Sequence, residues 1–307
     1  MPPCIGQGPC GQSKMAAKLT KEEAEEYFAR INYTGSKEPT VEVLTELHRC
    51  HILYVPFENL SVYGKEKIEL SKEWLFEKIV RRHRGGFCFE LNKMFSFLLN
   101  YLGFEHTTLA ASVFRRKTGV QSPPLSHLVL TVKVEGELLL ADVGYGDSFW
   151  LPLRFTGLRE HQEQQSGIYR IRKSGNDHIC EEKIKIIVDE TGQEEIAKEQ
   201  FTRPEDPRWV PMYTFDLIPR KTEDFFEMLE YHQKNVDSPY THDRICTMAK
   251  PWGRVTLSGH KIVITRFLGD NKVKKESRNV EGGEHEVVKE LEETFGIRKD
   301  CCFFPEG

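Results

Sequence analysis

The chain has 307 residues, with 43 Lys and Arg against 47 Asp and Glu and a formal net charge of −4. Without a basic excess it has no electrostatic footprint for nucleic acid. With no long apolar run it cannot cross a bilayer as a helix, so no nucleic-acid or membrane partner is expected. Its 39% hydrophobic and 29% charged residues are ordinary for a globular protein, and the length allows two or three domains.

Eight cysteines are present, but Cys4, Cys10, Cys50, Cys88, Cys180 and Cys246 are scattered and only Cys301-Cys302 are adjacent. No CxxC pair exists for zinc or redox work, and His83, His106 and His127 show no ligand spacing with Cys88, so no metal is expected. Reduced thiols, no signal peptide and a cytoplasmic location follow as expectations.

Residues 1–14 hold Gly, Pro, Gln and Cys with almost no core formers and read as a disordered leader, with Met15 an alternative start. Thr20 with Glu23 is a capping-box pattern that predicts a helix to about Ile31. A second helix is predicted from near Thr40, with Val43, Leu44 and Leu47 on one side. Pro56 then interrupts the chain before Phe57-Glu58-Asn59-Leu60. Ser71 caps a third helix, which leads into the stretch 81–102, RRHRGGFCFELNKMFSFLLNYL. There Leu91, Met94, Phe95, Leu98, Leu99 and Leu102 mark one apolar helical face, and Gly103 is a natural stop. Gly85-Gly86 predicts a sharp turn into that helix. Cys88 falls in its first turn, where unpaired N–H groups, the helix dipole and the nearby charges of His83 and Arg84 favour a thiolate. A packed core thiol is the bland alternative.

Beyond Gly103 the period changes. A strand is predicted over 107–114, and Pro123-Pro124 break the chain. Leu128, Leu130, Val132 and Val134 then alternate as a half-buried strand. Glu135-Gly136 is a two-residue turn and 137–143 returns as the partner. Strands near 169–172 and 183–188 extend a small antiparallel barrel or sandwich, with a polar loop over 157–165. A linker is predicted over 204–211, then a strand over 212–217, a helix from Thr222 to about Gln233, strands near 254–257 and 261–267, and a helix from about Glu286 to Phe295. The chain thus divides into a helical part over 15–103, a β part over 104–211 and an α/β part with a tail over 212–307.

If Glu135 and Gly136 form the turn, Val134 faces Glu137, and counting back sets Val129 opposite Asp142. His127 then lies one diagonal step from Asp142 on the same face, where backbones are ~7–8 Å apart and polar side chains can meet. A carboxylate there fixes the imidazole tautomer and favours its charged form. With Cys88 facing the pair, the sequence predicts a thiolate–imidazolium–carboxylate triad.

Arg84-Gly85-Gly86-Phe87-Cys88-Phe89-Glu90-Leu91-Asn92 resembles the RGGxCxE(L)N signature of the arylamine N-acetyltransferases. The resemblance continues through Val55-Pro56-Phe57-Glu58-Asn59-Leu60, Ser126-His127-Leu128, Ala141-Asp142-Val143-Gly144-Tyr145-Gly146, and Tyr213-Thr214-Phe215 with Pro219-Arg220. It covers about residues 19–295 in order. It implies an α+β fold: a helical N-terminal domain, an antiparallel β-barrel middle domain and an α/β C-terminal lid, around a papain- or transglutaminase-like cysteine triad core. It further implies ping-pong transfer of acetyl from acetyl-CoA, through an acetyl-Cys88 thioester, to an arylamine, hydrazine or arylhydroxylamine by Cys88, His127 and Asp142. Carried over with these are Phe57, Val113, Tyr145 and Phe149 in the acceptor pocket, and Pro124, Ser126 and Tyr213 near CoA. Glu58 and Arg84 are expected as a buried ion pair, and the protein as a monomer. Pro123-Pro124 and Asp147 depart from the family pattern. An acid at 147 is expected to disfavour acceptors bearing a carboxylate. A cysteine hydrolase or amide-bond acyltransferase with the same triad, and a non-catalytic protein of the same fold, are the competing readings.

Overall fold

The central helix, Cys88–Leu102, ends at Gly103 in the left-handed conformation at φ 83°. It is buried on almost every side rather than on one face: Phe89, Leu91, Met94, Phe95, Leu98 and Leu99 are all inaccessible. Around it lie Lys21–Arg30, opened by the reciprocal Thr20/Glu23 box, and Val41–Tyr54, capped by Thr40. Lys72–Phe76 runs on as a π-helical turn over Glu77–Arg81. The computed structural model describes residues 18–155, 160–197 and 200–301, so the leader over 1–14 and the end of the tail lie outside the described residues.

The other side of the central helix meets an eight-stranded antiparallel sheet. Its order is Leu153–Arg154, Glu137–Ala141, His127–Val134, Glu105–Val113, Trp209–Phe215, Asp177–Lys183, Gly167–Ser174, Gln162–Gln164. The last strand and Asp177–Lys183 are not evident in the sequence. The first lies in the expected polar loop, and the second buries Glu181 and Glu182, whose charges conceal its inward face. The end strands almost meet. The Gln162 amide bridges the Arg154 backbone at 2.8 and 3.0 Å, and Gln164 does the same for Leu151 at 2.9 and 2.8 Å. Side-chain amides thereby replace the missing strand ladder and nearly close a barrel.

His127–Val134 is buried on both faces, not one. Leu128, Leu130 and Val132 belong to the helix-side core, while Val129 packs inside the barrel with Leu109 and Leu140. The linker expected over 204–211 shortens, because Trp209–Phe215 is already strand. Pro211 is accommodated at a register shift before Tyr213, where a missing N–H does no harm.

A second, seven-stranded sheet is ordered Phe57–Glu58, Ile245–Lys250, Gly253–Ser258, Lys261–Gly269, Lys272–Asn279, Ile186–Val188, Glu194–Ile196. Ile186–Val188 therefore leaves the barrel and pairs in parallel with Lys272–Asn279. Glu284–Phe295 covers this sheet through Val287, Leu291 and Phe295. Phe57–Glu58 ties the two regions, bonding to Gly86 on one side and pairing with Cys246 and Thr247 on the other.

Below the Cys88 end of the helix the expected Glu58–Arg84 pair is present at 3.0 and 3.2 Å, and Lys78 meets Glu90 at 2.6 Å. Burial raises the Glu58 carboxyl, but the charges of Arg84 and Lys78 outweigh it and hold it at about 2. Its contribution to stability is therefore full above pH 4.5 and lost as pH falls through about 2. Removing Arg84 strands that buried charge, so Arg84→Met is expected to cost about 3–5 kcal/mol in urea denaturation at neutral pH. Adding Glu58→Gln should return part of it; a loss within ~0.5 kcal/mol of wild type, as for an ordinary surface change, would contradict this account.

Candidate active site

Three elements converge at the start of the central helix. Cys88 is its first residue, 1% exposed, with Sγ 3.8 Å from the Ser126 carbonyl oxygen. His127 opens the barrel strand that follows Ser126, and Asp142 stands just past the end of Glu137–Ala141. The ladder runs from Val134↔Glu137 to Leu130↔Ala141 around Glu135 and Gly136, both at positive φ. That is the register the turn predicted, and it brings His127 Nε2 to 2.8 Å from Asp142 Oδ2. The other ring nitrogen is left for the Cys88 thiol, which lies within hydrogen-bonding reach of His127.

Burial by itself disfavours a charged imidazole. Here the Asp142 charge and hydrogen bond, with a further contribution from Cys88, outweigh it and push His127 up to about 10. The Asp142 carboxyl is likewise held low: burial raises it, but His127, Asn92 and the Gly144 N–H favour the anion. At neutral pH the geometry thus holds an imidazolium between a carboxylate and the Cys88 sulfur at a helix N-terminus, a combination suited to nucleophilic attack by sulfur.

The local support differs from expectation in two respects. Gly85 and Gly86 do not adopt positive φ; they permit close approach. A Cβ on Gly85 would lie 1.9 Å from the Pro56 carbonyl oxygen, and one on Gly86 2.7 Å from Glu90 Cβ. Nor is Arg84 free to attract a thiolate, since Glu58 compensates it and its Nη1 donates to the Cys301 carbonyl at 2.8 Å. The cation beside the sulfur is His127.

Asn92, one helical turn beyond Cys88, received no role from the sequence. Its Nδ2 donates to Asp142 Oδ1 at 2.8 Å and to the Leu128 carbonyl at 2.7 Å, while Oδ1 accepts the Val143 N–H at 2.9 Å. The same-face spacing of 88 and 92 was the available signal. Tyr240, from the region after the expected helix near 222–233, also reaches the Cys88 thiol and packs on Phe87 at 5.4 Å between ring centres.

Two cavities meet here, sharing Val113 and Tyr240. One, about 410 Å³, is lined by Phe57, His127, Tyr145, Asp147 and Arg116. The other, about 520 Å³, is lined by Ser126, His232, Tyr231 and Arg115. The Ser126 hydroxyl is buried without a protein partner. Pro124 lies apart, in a depression of about 210 Å³. Tyr213 is inaccessible, its ring packed under His127 at 5.2 Å. Phe149 is inaccessible too, stacked on His48 rather than lining the larger cavities. Asp147 is not a free acid: Arg254 Nε stands 3.0 Å from it, and Arg116 donates to its carbonyl.

Among the described residues no His, Cys, Asp or Glu group is arranged to hold a metal ion, and no helix is long and apolar enough to cross a membrane. No disulfide joins the described cysteines Cys50, Cys88, Cys180, Cys246 and Cys301; Cys4, Cys10 and Cys302 lie outside the described residues.

An N-acetyltransferase family model matches residues 40–301. The chain is similar to an arylamine N-acetyltransferase of Gallus gallus, pineal gland isozyme NAT-10, with 33% identity over 92% of this chain and 96% of that protein. It is 31% identical to arylamine N-acetyltransferase 1 of Homo sapiens, over 90% of this chain and 94% of that one. Among solved structures, arylamine N-acetyltransferase from Salmonella typhimurium superposes with TM-score 0.77 at 28% identity, covering 91% of this chain and 92% of its own. The Mycobacterium marinum arylamine N-acetyltransferase in complex with CoA gives TM-score 0.76 at 25% identity, over 91% and 97%.

The pairing with Asp142 raises His127, so its contribution to stability is full below the unfolded value near 6.5 and lost as pH rises through about 10. The His127 ring resonances are expected to keep their imidazolium shifts above pH 8 in NMR. In Asp142→Asn, burial is opposed by Cys88 alone and the ring should lose its proton at a lower pH than in wild type. A wild-type ring that loses its proton near 6.5 would refute the pairing.

Proposed function

The chain belongs to the arylamine N-acetyltransferase family, and on that premise we propose that it carries acetyl from acetyl-CoA to the nitrogen or oxygen of arylamines, arylhydrazines and arylhydroxylamines, through a thioester on Cys88. The observation that carries this reading is the buried meeting of Cys88, His127 and Asp142 where two cavities join. The larger cavity suits the thiol-bearing arm of CoA, since it is lined by Ser126, whose hydroxyl has no protein partner and whose carbonyl oxygen lies 3.8 Å from Cys88 Sγ. The aromatic-walled smaller cavity, with Phe57 and Tyr145, suits the acceptor ring.

In the first half-reaction the Cys88 thiolate bonds to the thioester carbonyl carbon of acetyl-CoA. The carbon–sulfur bond to CoA breaks, and the departing sulfur takes the His127 proton. In the second, the acceptor lone pair attacks the Cys88 thioester carbonyl. His127 receives the acceptor proton, the carbon–sulfur bond to Cys88 breaks, and the thiolate–imidazolium pair is restored. Exchange between thioesters needs no strong base, and amide formation from a thioester is downhill. Alignment and exclusion of water are therefore the protein's main contribution. Asp142 keeps the ring oriented and its cation stabilised throughout.

Incubation with acetyl-CoA alone should place one acetyl group on the intact protein, none on Cys88→Ser, and reach the same end point ~10²–10⁴-fold more slowly in Asp142→Asn. Acetyl retained by Cys88→Ser would remove the basis of this reading. The acid expected to repel anionic acceptors is compensated by Arg254, so wild type should discriminate little between neutral and carboxylate-bearing arylamines. Asp147→Ser bares Arg254 and should shift kcat/KM towards the anionic ones by several-fold. An unchanged ratio would show that the pair does not face the acceptor.

A further inference from the structure

The helix Val41–Tyr54 carries a histidine that the chemistry above leaves unused. His48 is inaccessible, with Nδ1 2.8 Å from the Trp150 carbonyl oxygen and Nε2 3.0 Å from the Asp142 backbone nitrogen. A carbonyl can only accept and a peptide N–H can only donate, so the ring is neutral with its proton on Nδ1. Burial points the same way, drawing His48 down to about 4 although Trp150 and Asp142 favour the charged form. The ring lies flat on Phe149 at 5.8 Å and 12°, and edge-on to Phe95 at 6.0 Å.

These two hydrogen bonds reach the two ends of the segment 142–150, which carries Asp142, Tyr145, Asp147 and Phe149. The barrel ladder on this strand stops at Leu130↔Ala141, so the Asp142 N–H has no strand partner and His48 is its acceptor. Asn92 holds the Asp142 carboxylate and the Val143 N–H, but nothing from Asn92 reaches the far end at Trp150. We propose that His48 is a positioning residue whose neutral imidazole staples the start of this segment to its end, setting Asp142 against His127 and Tyr145 against the acceptor cavity. The proposal rests on the catalytic reading of Asp142.

The test compares His48→Leu, which deletes both bonds, with His48→Gln, whose amide offers a donor and an acceptor on one rigid fork. Leu47→Ala, in the same helix but facing the core alone, is the stability control. Full-length variants are assayed well below their melting temperatures for the rate of Cys88 acetylation by acetyl-CoA and for the pH profile of the His127 ring resonances in NMR. His48→Leu should acetylate up to ~10²-fold more slowly, the scale of a misplacement of about 1 Å. Its His127 profile should move to lower pH, because a displaced Asp142 supports the imidazolium less. His48→Gln should recover most of both, while Leu47→Ala loses stability and keeps the wild-type profile.

The staple is overturned if His48→Leu keeps the wild-type rate and profile, or if His48→Gln is no better than His48→Leu. Asp142→Asn separates the two levels. If it too acetylates at the wild-type rate, the catalytic reading of Asp142 has failed; if it is slow while His48→Leu is not, only the staple has.

Discussion

The whole site hangs on the side-chain amide of Asn92. It joins a helix to a barrel by three hydrogen bonds, at 2.7, 2.8 and 2.9 Å, to Leu128, Asp142 and Val143. One turn back along the same helix is Cys88, and one residue before Leu128 is His127. An error of one residue in packing the helix on the strand would leave the buried Asn92 amide and the buried Val143 N–H unsatisfied together, each a cost of about 1–3 kcal/mol. The amide therefore acts as a register pin. Gly144 lets the pin close, because a Cβ there would meet Asn92 Nδ2 at 2.7 Å and Cys88 Cα at 2.8 Å.

Buried charge near Cys88 is arranged in two groups with different tasks. Lys78, Glu90, Glu58 and Arg84 pair two cations with two anions beneath the helix start, so the group presents little net field to the thiol above it. Glu90 also accepts the Phe87 N–H at 3.0 Å and so caps the helix. Left uncompensated, that carboxylate would oppose a thiolate in the same turn; Lys78 at 2.6 Å removes the opposition. The second group, thiol, His127 and Asp142, is the one allowed to change its charge. Confining the responsive charges to one line, next to a balanced scaffold, lets burial strengthen their coupling without unfolding the site.

The legible parts of this molecule are those in which local chemistry has one solution. Glu135-Gly136 can hardly be other than a tight turn, and from it follows the register that sets His127 beside Asp142. Thr20 with Glu23, and Gly103 after an apolar helical run, mark ends the structure keeps. Charge hid what was missed. Lys272–Asn279 exposes most of its side chains and buries Val273 alone, so it carries no strand signal of its own. Glu181 and Glu182 look like surface residues until Arg170 and Lys185 are placed beside them. The departure of Ile186–Val188 into the second sheet depends on Lys272–Asn279, far along the chain, and nothing local records it. His48 sat in view on an apolar helical face, but its partners are backbone atoms whose position only the folded barrel determines.

The order Cys, His, Asp is equally that of cysteine hydrolases, so the triad cannot decide between transfer to an amine and transfer to water. The surroundings can be weighed. Cys88 is 1% exposed, and the spaces beside its neighbours His127 and Ser126 measure about 410 and 520 Å³, the size of small-molecule sites rather than of a groove for an extended peptide. Phe57, Tyr145 and Tyr240 wall the approach with aromatic rings, which favour a flat apolar acceptor. On the proposed reading, a thioester formed in such a place would outlive the departure of CoA because its carbonyl is shielded. It would be spent only when an amine that fits the same walls arrived, and the burial that raises the cost of assembling these charges would then be the property that makes the intermediate selective.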